Sequence, residues 1–135
     1  MRLTHLVFDA MDRLTLSQLL DDARDRLERI DPEDLDAAVN AGAVVVDVRD
    51  SALRSMQGRL PDAYVIDLTV LEWRLAPSSD ARIAEISPEA HVILVCSEGF
   101  SSSLAAARLK DLGVTNATDL VGGFKAWAAV DSGDR

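Results

Sequence analysis

Two short apolar runs, residues 43–48 and 92–95, constrain the fold of this chain more than any other feature. Both are continuously apolar except for Asp47 near the end of the first run. Continuous apolar strands are typical of parallel sheets buried on both faces, whereas half-exposed strands alternate apolar and polar residues. Segments with helical spacing of apolar residues stand between the strand-like runs. Because strands alternate with helices, the sequence predicts an α/β fold with a doubly wound parallel sheet.

The other elements follow from the same signals. Apolar residues recur at helical spacing over residues 16–30, which predicts an amphipathic helix with a solvated acidic face. Asp31-Pro32 begins a second helix as its N-cap and first helical residue, and Gly42 ends it. Strands are also predicted at residues 63–66 and 117–120, and helices at residues 80–86, 102–112 and around Trp127, while residues 70–75 stay ambiguous.

These elements predict one domain with an added segment at each end. We expect an arm and an amphipathic helix over residues 1–30, the domain itself over residues 31–130, and a frayed tail over residues 131–135.

Composition and charge exclude several classes of function. The net charge of −9 disfavours nucleic acid and anionic membrane surfaces as partners, because both attract basic proteins. No stretch approaches the ~20 apolar residues of a membrane span, and residues 1–11 lack the long apolar core of a signal peptide. A single cysteine cannot form an internal disulfide, which predicts a cytoplasmic location. His5 and His91 have no partner at metal-ligand spacing, so neither a metal nor a cofactor is expected.

Cys96, the only cysteine, stands where the apolar run of residues 92–95 ends. A turn containing Gly99 follows, and three serines at positions 101–103 open an Ala/Leu-rich helix. The free N–H groups of a first helical turn stabilise a thiolate, and the curled loop backbone forms an anion-binding nest. A nucleophilic sulfur in such a nest indicates chemistry on a sulfur or phosphorus oxyanion. The alternative is a structural cysteine, since free cysteine packs like a small hydrophobic residue.

Four motifs, in the family's order, resemble the single-domain rhodaneses, which are sulfurtransferases. The motifs are Val45-Val46-Asp47-Val48-Arg49, Gly58-Arg59-Leu60-Pro61-Asp62-Ala63, the Cys96–Ser102 loop, and Leu120-Val121-Gly122-Gly123-Phe124-Lys125-Ala126-Trp127. The resemblance covers roughly residues 33–129. It implies a rhodanese-like doubly wound parallel sheet flanked by helices, to which this chain adds an extra N-terminal helix.

The resemblance also implies a covalent, two-step sulfur transfer through Cys96. Its thiolate attacks the outer sulfur of a donor such as thiosulfate, sulfite leaves, and Cys96 carries a persulfide. A small-molecule acceptor (cyanide in an assay, a thiol in cells) or a protein thiol then takes the sulfur. The substrate-binding residues implied are Ser97, Glu98, Gly99, Phe100, Ser101 and Ser102, with Arg49 and Arg59 as cations. The alternatives are a helix cap for Ser102, a structural ion pair for Asp47–Arg49, and solvated surface for Arg59. The chain is expected to be a monomer or homodimer.

Two residues of the loop depart from the family pattern, which usually reads Cys-x-x-Gly-x-Arg-Ser. Ser101 stands in the Arg position, and Glu98 adds a carboxylate. Because thiosulfate is a dianion, the sequence predicts weak thiosulfate turnover. A rhodanese-like binding or regulatory module with little turnover is the alternative function. A cysteine phosphatase is disfavoured, because its loop needs an Arg where this chain has Ser102.

Overall fold

The computed structural model describes residues 13–133 and shows a four-stranded parallel sheet. The strands are β1 (Val44–Asp47), β2 (Tyr64–Val65), β3 (Val92–Val95) and β4 (Ala117–Asp119). Their order across the sheet is β2-β1-β3-β4, so β1 and β3 lie at its centre. The predicted parallel α/β sheet is therefore confirmed, and the residues that follow β1, β3 and β4 meet at one edge.

Helices cover both faces of this sheet. In the described part of the chain they are α1 (Leu16–Arg24), α2 (Leu35–Asn40), α3 (Ser51–Gln57), α4 (Leu71–Leu75), α5 (Ser101–Asp111) and α6 (Gly123–Gly133), with short 3-10 turns before α2 and α4. Side chains of α4 and α5 belong to the buried cluster on one face, and side chains of α2 and α6 to the cluster on the other. Alternate residues of β3 enter the two clusters, which explains why its apolar run is continuous.

Several predictions of local structure were wrong. Residues 80–86 form turns instead of a helix, because Ser79 Oγ donates to the Trp73 carbonyl and accepts from the Ala81 N–H. Such local side-chain bonds compete with helical ones. Helix α3 was missed, although Asp50 caps it by accepting from the Leu53 N–H at 2.8 Å.

The two ends of the chain also differ from expectation. Helix α1 stops at Arg24 instead of continuing to Ile30, and Ile30 forms an isolated parallel bridge to Leu120 beside β4. The ambiguous residues 70–75 include α4, and α6 continues to Gly133, past the start of the expected tail. Most of the expected N-terminal arm, residues 1–12, lies outside the described residues. No helix within residues 13–133 is long and apolar enough to cross a membrane.

The extra N-terminal helix α1 is an integral layer of the described fold. Thr15 caps it through Oγ1, which accepts from the Gln18 N–H at 3.0 Å, and Gln18 Oε1 accepts from the Thr15 N–H. The helix packs against α5. Beyond its end, Arg26 forms an ion pair with Asp111 of α5 at 2.6 Å. This packing brings residues 24–30 beside the loop that precedes α5.

Candidate active site

The loop between β3 and α5 carries Cys96, and α6 holds it from behind. The N–H groups of Phe124 and Lys125 donate to the carbonyl oxygens of Cys96 and Ser97 at 2.8 and 3.1 Å. A Cβ at Gly123 would lie 2.5 Å from the Cys96 carbonyl oxygen, so only glycine allows this approach. Because C=O and N–H point in opposite directions across a trans peptide, the N–H groups that follow these two carbonyls point away from α6.

The thiol of Cys96 is buried yet has polar partners. The residue is 6% exposed and packs in the cluster that includes residues of α4 and α5. Its Sγ accepts a hydrogen bond from the Gly99 N–H at 3.1 Å and lies 3.2 Å from Ser102 Oγ. Gly99 reaches this position with φ of +85°, a conformation that favours glycine. Cys96 thus combines packing in the core with hydrogen bonds to its sulfur.

The pKa of Cys96 lies below its usual range. Burial of the sulfur acts in the opposite direction and raises the pKa, but hydrogen bonds outweigh it. These come from the side chain and backbone of Ser102, the side chain of Ser101 and the backbone of Gly99. Hydrogen bonds to the charged form lower the pKa of an acid, so the loop favours the nucleophilic thiolate.

A buried carboxylate organises the serines beside the sulfur. Asp119, at the end of β4, is fully buried and accepts from Ser102 Oγ at 2.7 Å and Ser103 Oγ at 2.8 Å. Arg29 donates to both of its oxygens, at 2.8 and 3.2 Å. Ser102 has one hydroxyl proton, which it donates to Asp119 while the Cys96 thiol donates to Ser102 Oγ. A Cys96 thiolate would compete with Asp119 for that proton, and Asp119 would still have Arg29 and Ser103 as donors.

A second ion pair, after β1, supports the same loop. Arg49 donates to both oxygens of Asp47, at 2.9 and 2.7 Å, and also to Gln57 and to the carbonyl of Gly58. Gln57 in turn donates to Ser97 Oγ at 2.7 Å. The side chain of Arg49 is fully buried. The guanidinium of Arg49 is enclosed and committed to the Asp47 ion pair, which favours the alternative of a structural ion pair over a substrate-binding role.

The remaining predicted residues occupy different places in the site. Ser101 and Phe100 are exposed at the start of α5. Glu98 is not a free carboxylate, because Lys125 of α6 pairs with it at 2.8 Å. Arg59 is exposed between α3 and β2, and no hydrogen bond or ion pair within residues 13–133 joins it to the loop.

Four residues that support the loop were missed from the sequence: Arg24, Arg29, Gln57 and Asp119. Asp119 left a signal, since a carboxylate inside a short buried strand needs a charged partner. The arginines left none, because they lie before the segment that resembles the family and reach the loop only through the packing of α1. Among the described residues, no group of His, Cys, Asp and Glu is arranged to hold a metal ion.

Comparison with known proteins identifies the type of domain. A family model described as rhodanese-like domain matches residues 31–130. A curated relative, thiosulfate sulfurtransferase GlpE of Pseudomonas savastanoi pv. phaseolicola, is 34% identical over 103 residues, which cover 76% of this chain and 88% of that protein.

Solved structures give the same fold. A Rhodopseudomonas palustris protein of unknown function, described as a possible tyrosine phosphatase, matches with a TM-score of 0.79 and 24% identity over 92% of this chain and 96% of its own. The human single-domain sulfurtransferase TSTD1 matches with a TM-score of 0.64 and 23% identity over 75% of this chain and 95% of its own. At these identities the two structures support the fold alone.

Proposed function

Because this chain belongs to the rhodanese-like domain family, we propose that it is a sulfurtransferase that carries sulfur as a persulfide on Cys96. The observation that carries the proposal is the environment of Sγ, where the Gly99 N–H and the serines of the loop favour a thiolate. The GlpE relatives, thiosulfate sulfurtransferases at about one-third identity over most of their length, support thiosulfate as the class of donor.

The first half-reaction is a displacement at sulfur. The Cys96 thiolate attacks the outer sulfur of thiosulfate, a new S–S bond forms, and the old S–S bond breaks. The electron pair of that bond leaves with sulfite. Loop N–H groups that point away from α6 would stabilise the outgoing oxyanion, since oriented donors act where charge develops.

The second half-reaction restores the enzyme. A thiolate or cyanide attacks the outer sulfur of the Cys96 persulfide, takes that sulfur, and releases the Cys96 thiolate. No oxidant or cofactor is required, because each step exchanges one bond at sulfur for another. A small thiol or a protein thiol is the acceptor we propose, in a reducing cytoplasm that keeps Cys96 free.

The substrate-binding role belongs to the loop backbone and its hydroxyls. Ser97 to Ser102 would surround the donor, with the exposed Ser101 adding a hydroxyl donor to the N–H groups, while the buried Ser102 hydroxyl bonds to Asp119 beside the sulfur. Arg59 remains a candidate for attracting an anionic donor from the adjacent exposed loop. We leave Arg49 out of this set, because its side chain is buried against Asp47.

Intact-protein mass spectrometry tests the proposal. After incubation with thiosulfate, we expect the protein to gain one sulfur atom and to lose it when cyanide or a thiol is added. The Cys96→Ser variant is the control and should gain none. A binding module would show no gain in either protein, and that result would reject sulfur transfer. Release of phosphate from a phosphotyrosine peptide, with no gain from thiosulfate, would instead support a phosphatase.

A further inference from the structure

Two arginines that reach the Cys96 loop lie outside the region that matches the family. The family match begins at residue 31, whereas Arg24 ends α1 and Arg29 lies in the connection that follows it. The Rhodopseudomonas structure covers 92% of this chain, more than residues 31–135 account for. The additional N-terminal segment is therefore part of a fold that occurs elsewhere, and its contacts with the loop require an explanation.

Both arginines bind the same carbonyl group. Arg24 donates through Nη2 to the Gly99 carbonyl oxygen at 2.7 Å, and Arg29 donates to it at 3.1 Å. Ser103 Oγ lies 3.3 Å from the same oxygen, and Arg24 Nε donates to that hydroxyl at 3.1 Å. The guanidinium of Arg24 also lies over the ring of Phe100, 5.6 Å from its centroid. The peptide between Gly99 and Phe100 is thus fixed from outside the loop.

The orientation of this peptide matters for anion binding. Since the peptide is planar and trans, the Phe100 N–H points away from the Gly99 carbonyl and hence away from both arginines. The N–H of Gly99 itself already donates to Sγ of Cys96. A loop whose carbonyls are held outward by α6 and by the arginines keeps its N–H groups free for an anion.

Arg29 has a second task beside the sulfur. It bridges the Gly99 carbonyl and the carboxylate of Asp119, which accepts from Ser102. If Asp119 lost Arg29, it would depend more on the Ser102 hydroxyl, and that proton would be less available to the Cys96 thiolate. Arg29 therefore affects both the shape of the loop and the state of the sulfur.

We propose that Arg24 and Arg29 are positioning residues for the Cys96 loop, so that residues 16–30 form a working part of the active site. This inference rests on the proposed sulfurtransferase function. It also bears on position 101 of the loop, where the family usually has an arginine and this chain has Ser101. The ion pairs in the described chain leave Arg24 bonded to a carbonyl, a hydroxyl and an aromatic ring, with no carboxylate partner. Arg24 thus supplies a net positive charge beside a loop that has none at position 101.

The test uses alkylation of Cys96, which needs no sulfur donor and reports on the only cysteine. Iodoacetate is an anion and iodoacetamide is neutral, so the ratio of their rates measures the anion-binding quality of the loop. Arg24→Gln and Arg29→Lys are compared with Arg26→Gln. This matched control removes an arginine that pairs with Asp111 of α5 and does not touch the loop.

We expect Arg24→Gln and Arg29→Lys to lower the iodoacetate-to-iodoacetamide rate ratio roughly tenfold. This decrease is smaller than the one caused by removing an oriented donor, because these substitutions misalign the loop N–H groups but keep them. Arg29→Lys should also shift the midpoint of the pH–rate profile to higher pH. Arg26→Gln should change neither quantity. If Arg24→Gln does not fold by circular dichroism, Arg24→Lys takes its place, with a smaller decrease expected.

An unchanged ratio in both folded variants, or an equal loss in Arg26→Gln, would overturn the positioning role. This outcome is independent of the proposed function, because failure of that function appears as absence of sulfur uptake by the unmodified protein. A normal ratio in the variants combined with normal sulfur uptake would leave the sulfurtransferase and reject only the inference about residues 16–30.

Discussion

At the scale of single residues, Cys96 has a lowered pKa although it is buried. Burial alone would favour the neutral thiol, so the hydrogen bonds from Ser101, Ser102 and Gly99 decide the outcome. The place of Cys96 after a strand predicts a nucleophile, and the structure adds that the residue is also part of the buried core. Because Sγ packs among buried apolar side chains, Cys96→Ala leaves a small cavity and is a poorer control than Cys96→Ser.

The pH dependence of alkylation tests the role of the hydroxyls. A lowered pKa means that the thiolate fraction, and hence the iodoacetamide rate, rises with pH around a midpoint below the ordinary thiol pKa of about 8.5. The Ser102→Ala variant should move the midpoint to higher pH, because the thiolate loses a donor. Ser87→Ala, at an exposed turn serine bonded to Glu89, is the control and should leave the midpoint unchanged. A midpoint at or above the ordinary value in the unmodified protein would contradict the assigned environment.

The two departures of the loop from the family pattern give a second prediction. Ser101→Arg should raise kcat/KM for thiosulfate about fivefold, since an exposed charge pair is worth up to about 1 kcal/mol. Glu98→Gln should raise it less, because Lys125 already pairs with Glu98. Steady-state assays would show this order, and Lys125→Gln should lower the value by leaving Glu98 unpaired. No response to any of the three changes would reject the electrostatic explanation.

At the scale of elements, the Asp47–Arg49 pair joins the end of β1 to the loop after β3. Asp47→Asn leaves Arg49 buried without a counter-charge, and breaking a buried pair costs roughly 3–5 kcal/mol. We expect a clear fall in the thermal midpoint together with slower persulfide formation. Asp36→Asn, at an exposed position of α2, should change neither. Loss of activity with an unchanged midpoint would instead indicate that Asp47 takes part directly in the reaction.

The elements also show what a sequence pattern can and cannot reveal. The central strands were predictable because burial on both faces leaves a continuous apolar run. Helix α5 was predictable from its Ala/Leu-rich stretch, which begins at three serines and ends before a glycine. The turns at residues 80–86 follow Ser79, whose hydroxyl bonds to backbone groups, and Ile30, six residues beyond the end of α1, pairs with Leu120. The Cys96 loop was predictable from Cys96, Gly99 and the serines. Its supports were not, since Arg24 and Arg29 lie about 70 residues or more along the chain from Gly99.

At the scale of the whole molecule, the net negative charge of the chain should govern the approach of a charged substrate, because most cations near the loop are neutralised by carboxylates. Arg29, Arg49 and Lys125 each have a carboxylate partner, so their charges are locally balanced. The chain as a whole carries a net charge of −9. A potential of that sign slows the approach of a dianion over distances comparable to the Debye length.

Salt should therefore accelerate the reaction with thiosulfate. The Debye length falls from about 30 Å at 0.01 M to about 8 Å at 0.15 M, which screens the distant carboxylates but not the hydrogen bonds within the loop. We expect the second-order rate of persulfide formation to rise over this range, while the iodoacetamide rate, measured as the control, stays constant. Because Arg24 opposes the repulsion locally, the rise should be steeper in Arg24→Gln. A rate that falls as salt is added would mean that the local positive charge of Arg24 outweighs the net charge, and the native loop would then attract thiosulfate despite Ser101.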